Sequence, residues 1–216
     1  MAEDKKSVGK CLLPNVRLSF PTLKNKRATV KDGKEKFSAN FIIDPSTPQG
    51  KRNIELCKKA ILEAEMETFR KTGVVKTIED PKRIAFRPGA KFRNQEGEVY
   101  EGYAGMVAVS CNNDSRPQLW DRYKGEVDYE DIEDVFQGGF HCDAAIRFFC
   151  VNGADKGGRG LFCAVNGIRS HQRGEVFSTG GRISVDEFDD LDDDDDDLVG
   201  AEADDVVLDD ADDLLG

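Results

Sequence analysis

The chain has no lysine and no arginine after Arg182. It has no GxSxG, no P-loop, no HExxH and no dinucleotide fingerprint. It has only two histidines, His141 and His171, neither beside a credible nucleophile. Those absences remove the common hydrolase, nucleotide-hydrolysing, zinc-protease and dehydrogenase classes. The glycines of ADKGGRG lack the strand-and-helix setting of a phosphate loop. The six cysteines include no CxxC pair. A zinc set drawn from Cys142, Cys150, Cys163 and His171 matches no standard spacing, so buried thiols are expected instead. No apolar run approaches the ~18 residues of a membrane span. The sequence MAEDKKSVGK lacks the apolar stretch of a signal peptide, so a cytoplasmic protein is expected.

What the chain does have is charge of two signs, separated. Of 42 acids, 17 fall in the 31 residues 186–216, DEFDDLDDDDDDLVGAEADDVVLDDADDLLG, which hold no base. Residues 1–185 therefore carry all 31 bases, a net charge of about +6, against −17 in the tail. A basic body joined to an acidic tail points to a nucleic-acid-binding domain over 1–185 and a disordered regulatory or partner-binding tail over 186–216. A tail that only aids solubility is the alternative. Its aspartates could attract cations but offer no fixed coordination geometry.

Along the body, Leu12, Pro14, Val16, Leu18 and Phe20 alternate with Asn15, Arg17 and Ser19, which predicts a strand. Lys24 to Lys36 reads as a basic loop. A second strand follows, with Phe37, Ala39, Phe41 and Ile43 on its core face. Thr47 and Pro48 are suited to the cap and first position of a helix. Ile54, Cys57, Ile61, Leu62, Met66 and Phe69 recur at helical spacing, and Gly73 is a suitable C-cap. Residues 74–103 read as a long basic insertion ending in YEGY. Short strands are predicted at 105–111 and 116–121, and a short helix within 124–137. In FHCDAAIRFFCV and GLFCAVNG the apolar alternation predicts a hairpin that pairs Cys150 with Leu161 and sets Phe149 across from Phe162. Arg147 shares their outer face. A half-buried sheet should be polar there, so these rings call for a cover or a ligand.

Bases and aromatics distributed over strands, without a groove-reading helix, suit single-stranded nucleic acid. Rings stack on unpaired bases while cations follow the phosphates. The stacking candidates are Tyr100, Tyr103, Trp120, Tyr123, Phe149 and Phe162. The phosphate candidates are Arg17, Lys36, Arg87, Lys91, Arg93, Arg116, Arg122, Arg147, Lys156 and Arg159. No catalytic residue, cofactor or metal is assigned. Two other readings are open: a metal-dependent nuclease or nucleotide-processing domain using Asp114, Asp121 and Asp143, and a virion or DNA-mimic protein built around the tail.

PNVRLSFPTL, KFSANFIIDP, YEGYAGMVAVSCNNDSRPQLWD and a closing hairpin before NGI and GEVF occur in that order over residues 10–180. In these features the chain resembles a family of phage single-stranded DNA-binding proteins, once a domain family of unknown function. The resemblance implies a mainly β fold, an OB-type Greek-key barrel with one main α-helix, long basic inserted loops and a disordered acidic tail. It implies non-catalytic coating of single-stranded DNA in phage replication or recombination, in the host cytoplasm. The tail would compete for the DNA cleft and recruit replication or recombination proteins. Self-association is left open. The tail residues expected to act are Asp192, Asp193, Asp194, Asp195, Asp196, Asp197, Asp212 and Asp213, with Leu214 and Leu215 as an apolar anchor. The chain ends without the terminal aromatic that many such tails carry.

Overall fold

The computed structural model describes residues 8–28, 33–153 and 157–177. The expected boundary at 185/186, the tail residues just named and Lys156 lie outside them. The elements run β1 (Lys10–Arg27), β2 (Lys36–Ile43), α1 (Pro48–Phe69), β3 (Phe86–Pro88), β4 (Val107–Asn113), β5 (Gln118–Trp120), α2 (Ile132–Val135), β6 (His141–Val151) and β7 (Gly160–Gln172). Seven strands form one sheet in the order β3-β4-β2-β1-β6-β7-β5.

The sheet curls until its ends meet. Just before β3, Ile84 bridges to Leu161 of β7, with Ala85 N–H donating to the Leu161 carbonyl at 2.9 Å. Asn113, at the end of β4, completes the closure. Its amide donates to the Val165 carbonyl at 2.6 Å and accepts from the Val165 N–H at 2.9 Å, standing in for a strand. Inside the barrel lie Leu13, Val16, Leu18, Phe41, Val109, Ile146, Phe148, Leu161, Val165 and Ile168, each at most 1% exposed. The architecture is the OB-type barrel that the resemblance implies.

The β2 face and the β6–β7 hairpin follow the alternation read from the sequence. Phe37, Ala39, Phe41 and Ile43 are buried. Cys150 pairs with Leu161 and Phe149 with Phe162. β7 continues past Gly167 to Gln172, and β5 joins its outer side in parallel.

β1 departs from expectation. It runs on to Arg27, so the basic loop is shorter than Lys24 to Lys36. Its faces also switch. Leu12 and Phe20 are 58% and 50% exposed, whereas Val16 and Leu18 are buried. Two left-handed residues cause this: Asn15 at φ 49° and Phe20 at φ 46°. The pairing register with β6 shifts between Leu13 and Val16, and that with β2 between Ser19 and Thr22. Each bulge changes the parity of the strand.

In α1, Thr47 caps the N-terminus by accepting from Gly50 N–H at 2.9 Å, and Pro48 opens the helix. The C-cap is Arg70, left-handed at φ 58°, three residues before the expected Gly73. Glu65, 2% exposed, stabilises the chain reversal there by accepting from Gly73 N–H and Val75 N–H at 3.0 and 2.7 Å. Cys57, Ala60 and Ala64 form the buried stripe, while Leu62 and Met66 are about half exposed, contrary to the helical spacing read from the sequence.

Residues 74–105 include the long basic insertion read over 74–103. They form three 3-10 turns, at Val75–Thr77, Pro81–Arg83 and Gly89–Lys91, together with β3, and they roof the outer side of β2 and β4. Under that roof Ile42, Phe92, Tyr103 and Ala108 make a second small core.

Candidate nucleic-acid interface

The roof stops short of the remaining outer face. Over β1, β6, β7 and β5 the sheet surface is open, and its residues fall into four cross-strand rows. Lys10 pairs with Arg147 and then Ala164. Leu12 pairs with Ala145, Gly167 and Gln118. Asp143 pairs with Arg169 and then Trp120. Phe149 faces Phe162, with ring centroids 6.0 Å apart. From Asp143 to Phe149 the strand covers roughly 20 Å at about 3.3 Å per residue, room for several nucleotides.

Trp120 is fixed by a close approach. A Cβ at Gly167 would lie 2.5 Å from Trp120 Cζ3, so only glycine lets the indole settle on the strand. Beside the indole is a groove of about 350 Å³ lined by Leu12, Trp120, Lys124, Asp143, Ala145, Gly167 and Arg169. Its polar floor is an ion pair. Asp143 is 5% exposed and both its oxygens are engaged. Oδ2 accepts from Nε of Arg169 at 3.0 Å and from Nη2 of the same guanidinium. Oδ1 accepts from the Asn15 N–H at 2.9 Å, with His171 Nδ1 3.6 Å away. A buried carboxylate needs such partners.

At the other end of the face, Arg83 lies 5.4 Å above the Phe162 ring. It donates to the carbonyls of Arg159 and Gly158 at 2.9 and 3.1 Å, tying the β6–β7 connection to the roof. Beyond β5, Asp121 accepts from Tyr123 N–H and Gly125 N–H at 2.8 and 2.7 Å, closing a tight turn that presents Tyr123 at 85% exposure.

Trp120, Phe149, Phe162 and Arg147 are therefore brought together on the open face. Arg159 stands exposed at its β6–β7 end, and Arg122 and Tyr123 are exposed on the turn after β5.

The other candidates go elsewhere. Tyr103 is fully buried, its hydroxyl accepting from Asn40 at 3.0 Å, and it cannot stack on a base. Burial pushes its phenol above the usual range. Tyr100 packs edge-on to Phe20 at 4.8 Å, on the roofed side.

Four candidate arginines each hold a pair of main-chain carbonyls, whereas Arg147 reaches one, that of Val8, at 3.3 Å. Arg17 donates to Gly139 and Glu175 carbonyls at 3.1 and 2.7 Å and lies 4.1 Å over Phe177. Arg87 binds the carbonyls of Pro81 and Ile84 over Phe92, and burial lowers its pKa. Arg93 holds the carbonyls of Ala90 and Gly97. Arg116 reaches Leu23 and Lys24 carbonyls at 3.1 and 2.7 Å between the Phe37 and Tyr129 rings. Lys36 pairs with Arg27 at the far end of β2, and Lys91 is exposed in the last turn of the roof.

Leu12, Lys10, Lys124, Ala145, Gly167 and Arg169 were missed by the sequence reading. Arg169 had a signal: it follows Ile168 in alternation, once β7 is carried beyond Gly167.

The three aspartates weighed as nuclease ligands are engaged separately. Asp114 pairs with Lys34 at 2.9 Å, and that contact holds its carboxyl below the usual range; Asp121 closes its turn; Asp143 holds Arg169. Among the described residues no three acidic, histidine or cysteine side chains converge on a metal-sized site. Cys142, Cys150 and Cys163 are buried thiols, with burial pushing Cys150 up to about 12. None of the described helices is long and apolar enough to cross a membrane.

A closed OB-type barrel with part of its outer face bare, set with rings and cations, has the form of an oligonucleotide-binding fold. The chain belongs to the family of the Enterobacter phage Enc34 single-stranded DNA-binding protein, whose profile matches residues 9–199. It is 31% identical over 186 residues to protein p50 of Acyrthosiphon pisum secondary endosymbiont phage 1, covering 84% of this chain and 94% of that one. Among solved structures it resembles the bacteriophage Enc34 single-stranded DNA-binding protein in complex with single-stranded DNA. That match has a TM-score of 0.65 at 16% identity over 79% of this chain and 90% of the other. A second structure of the Enc34 protein gives 0.61 at 19% identity over 84% and 90%. Members of this family are binding proteins, not enzymes.

Proposed function

We propose that this chain binds and coats single-stranded DNA, with little regard for sequence, along the open face of β1, β6, β7 and β5. The observation that carries the reading is the set of partly exposed rings Trp120, Phe149 and Phe162. They sit on adjoining strands with Lys10 and Arg147 between them. A duplex hides its bases and gives such rings nothing to stack on, whereas unpaired bases contribute about 1–3 kcal/mol per ring. The solved Enc34 complex supports the choice of ligand. The role is protection of single strands during phage replication or recombination in the host cytoplasm. Residues 186–216 compete with DNA for the basic face at an effective concentration of order millimolar. When displaced, they recruit replication or recombination proteins.

The test is binding of the full chain to single-stranded and duplex DNA of equal length across a salt series, repeated with residues 1–185. Single strands should bind much more tightly, with a log–log salt slope of about −0.7 per phosphate neutralised. The shortened chain should bind more tightly at low salt, where screening is weak. Equal affinity for duplex would overturn the main reading. Unchanged affinity on shortening would leave the tail a solubilising role.

A further inference from the structure

The groove beside Trp120 differs in chemistry from the rest of the open face. The Phe149–Phe162 end offers rings alone to a base, and a ring accepts any base. The groove adds hydrogen-bonding side chains, and the exposed ones, Arg169 and Lys124, are donors, while Asp143 is 5% exposed. Asp143 is the one acidic side chain lining it, and both its oxygens already accept bonds. The Arg169 guanidinium uses Nε and Nη2 on Asp143, and its Nη1 makes no hydrogen bond among the described residues. Lys124 contributes a second cationic donor. Leu12, Ala145, Gly167 and the indole supply apolar walls.

A base edge that presents carbonyl oxygens satisfies such a lining. An edge that presents an exocyclic amino group sets donor against donor. Cytosine N4 and adenine N6 are donors in the positions where thymine has O4 and guanine has O6. The guanidinium is also held in place: its buried partner fixes its plane, so it is aimed before the strand arrives.

We propose that this groove is a single-base subsite that prefers carbonyl-edged bases, thymine or guanine. In it the base stacks on Trp120 and its carbonyl accepts from Arg169, with Asp143 as the positioning residue. The proposal rests on the single-strand reading above and gives that otherwise sequence-tolerant face one selective position. The preference is modest, because each bound strand passes one base through the groove and several over rings that do not discriminate.

Oligothymidylate, oligodeoxyuridylate and oligodeoxycytidylate of equal length provide the test on the full chain. The last two have the same shape and differ in position 4, carbonyl or amino, and in the hydrogen that uracil carries on N3. Since Trp120 is the single tryptophan, its fluorescence reports occupancy of the groove directly. The thymine and uracil strands should bind about fivefold or more tightly than cytosine and quench Trp120 more fully. Arg169→Gln should weaken thymine and uracil strands more than cytosine strands and so remove the preference. Because that change leaves Asp143 unpaired and endangers the fold, Ala145→Leu gives a second arm. It fills the groove without touching the ion pair, and should abolish both preference and quenching with the melting temperature retained. Equal affinity of the wild type for uracil and cytosine strands overturns the subsite and leaves single-strand binding standing. So does tight binding that leaves Trp120 emission unchanged. Failure to bind any of the three strands would overturn the functional reading itself.

Discussion

Phe148 and Phe149 are neighbours of the same residue type on the same strand, and they should fail in opposite ways when truncated. Phe148 is 1% exposed inside the barrel, edge-on to Phe86 at 6.3 Å. Phe149 points outward onto the open face and, among the aromatic rings of the described residues, touches only that of Phe162, at 6.0 Å. Phe148→Ala removes a core ring, which costs about 3–5 kcal/mol of stability. For a body of this size each kcal/mol lowers the melting temperature by about 2–4 °C, so the loss is roughly 6–20 °C.

Phe149→Ala loses a cross-strand pair on the surface, about 0.2–1 kcal/mol, and a melting point lower by a few degrees at most. Its effect should appear in DNA binding instead: about 1–3 kcal/mol, or roughly five- to 150-fold in affinity for single strands. Phe162→Ala should behave like Phe149→Ala. Because the two rings touch, the double variant should lose less than the sum if they share one base. Calorimetric melting and fluorescence anisotropy with a labelled oligonucleotide read the two quantities separately. If Phe149→Ala melts as low as Phe148→Ala, or the double variant binds as the wild type does, the assignment of the open face is refuted.

Asn113→Ala should loosen the barrel. It leaves the Val165 N–H and carbonyl without their partners, at a cost of about 2–3 kcal/mol in urea unfolding, with a smaller change in DNA affinity. His141 should make stability pH-dependent. Burial first, then Arg17 and His171, hold its imidazole below the usual range, so as pH falls from neutrality towards the folded pKa the unfolded chain binds more protons than the folded one. Stability contributed by neutral His141 is therefore present above a pH of about 6.5 and is lost as pH falls through the folded pKa. His141→Gln should flatten that part of the denaturation profile, and an unchanged profile would refute the attribution.

The local signals in the sequence were legible where they depended on a few residues. Thr47 and Pro48 mark the start of α1 because capping is a contact between neighbours. The β6–β7 register could be read because both strands have one core face and a short connection. β1 could not be read the same way. Its alternation is intact as text, but the left-handed turns at Asn15 and Phe20 each insert a residue into the pairing. Parity counted from Leu12 is therefore wrong by Val16. Nothing in a single sequence announces a left-handed phenylalanine.

Tyr103 was misplaced for a tertiary reason. Residues 74–105 have no periodicity of their own, so their role as a roof is visible only once β2 and β4 lie beneath them. The arginines were ambiguous because a guanidinium has several donors in a plane and serves a pair of carbonyls as well as a phosphate. Arg17, Arg87, Arg93 and Arg116 each took the first use at two carbonyls, while Arg147 binds one, that of Val8, and stays exposed on the face. Their sequence contexts do not distinguish these fates.

The bends in β1 also explain how one sheet carries both a covered and an open outer surface. Before Asn15, Lys10 and Leu12 extend the open face beside β6. After Phe20, the strand runs beside β2 and towards α2, where Arg116 and Lys24 tie it to neighbouring segments. A regular strand would carry one alternation through both regions and present Val16 and Leu18 outward with Leu12. The bulge instead returns them to the core and turns the Asn15 N–H onto Asp143, the residue that aims Arg169. The irregularity that hides the face from sequence reading is thus part of the groove's construction. Restoring regular alternation by deleting Asn15 would disturb the Asp143–Arg169 pair and the barrel core together, whereas substitutions in the roof, over β2 and β4, should alter stability with little effect on the groove.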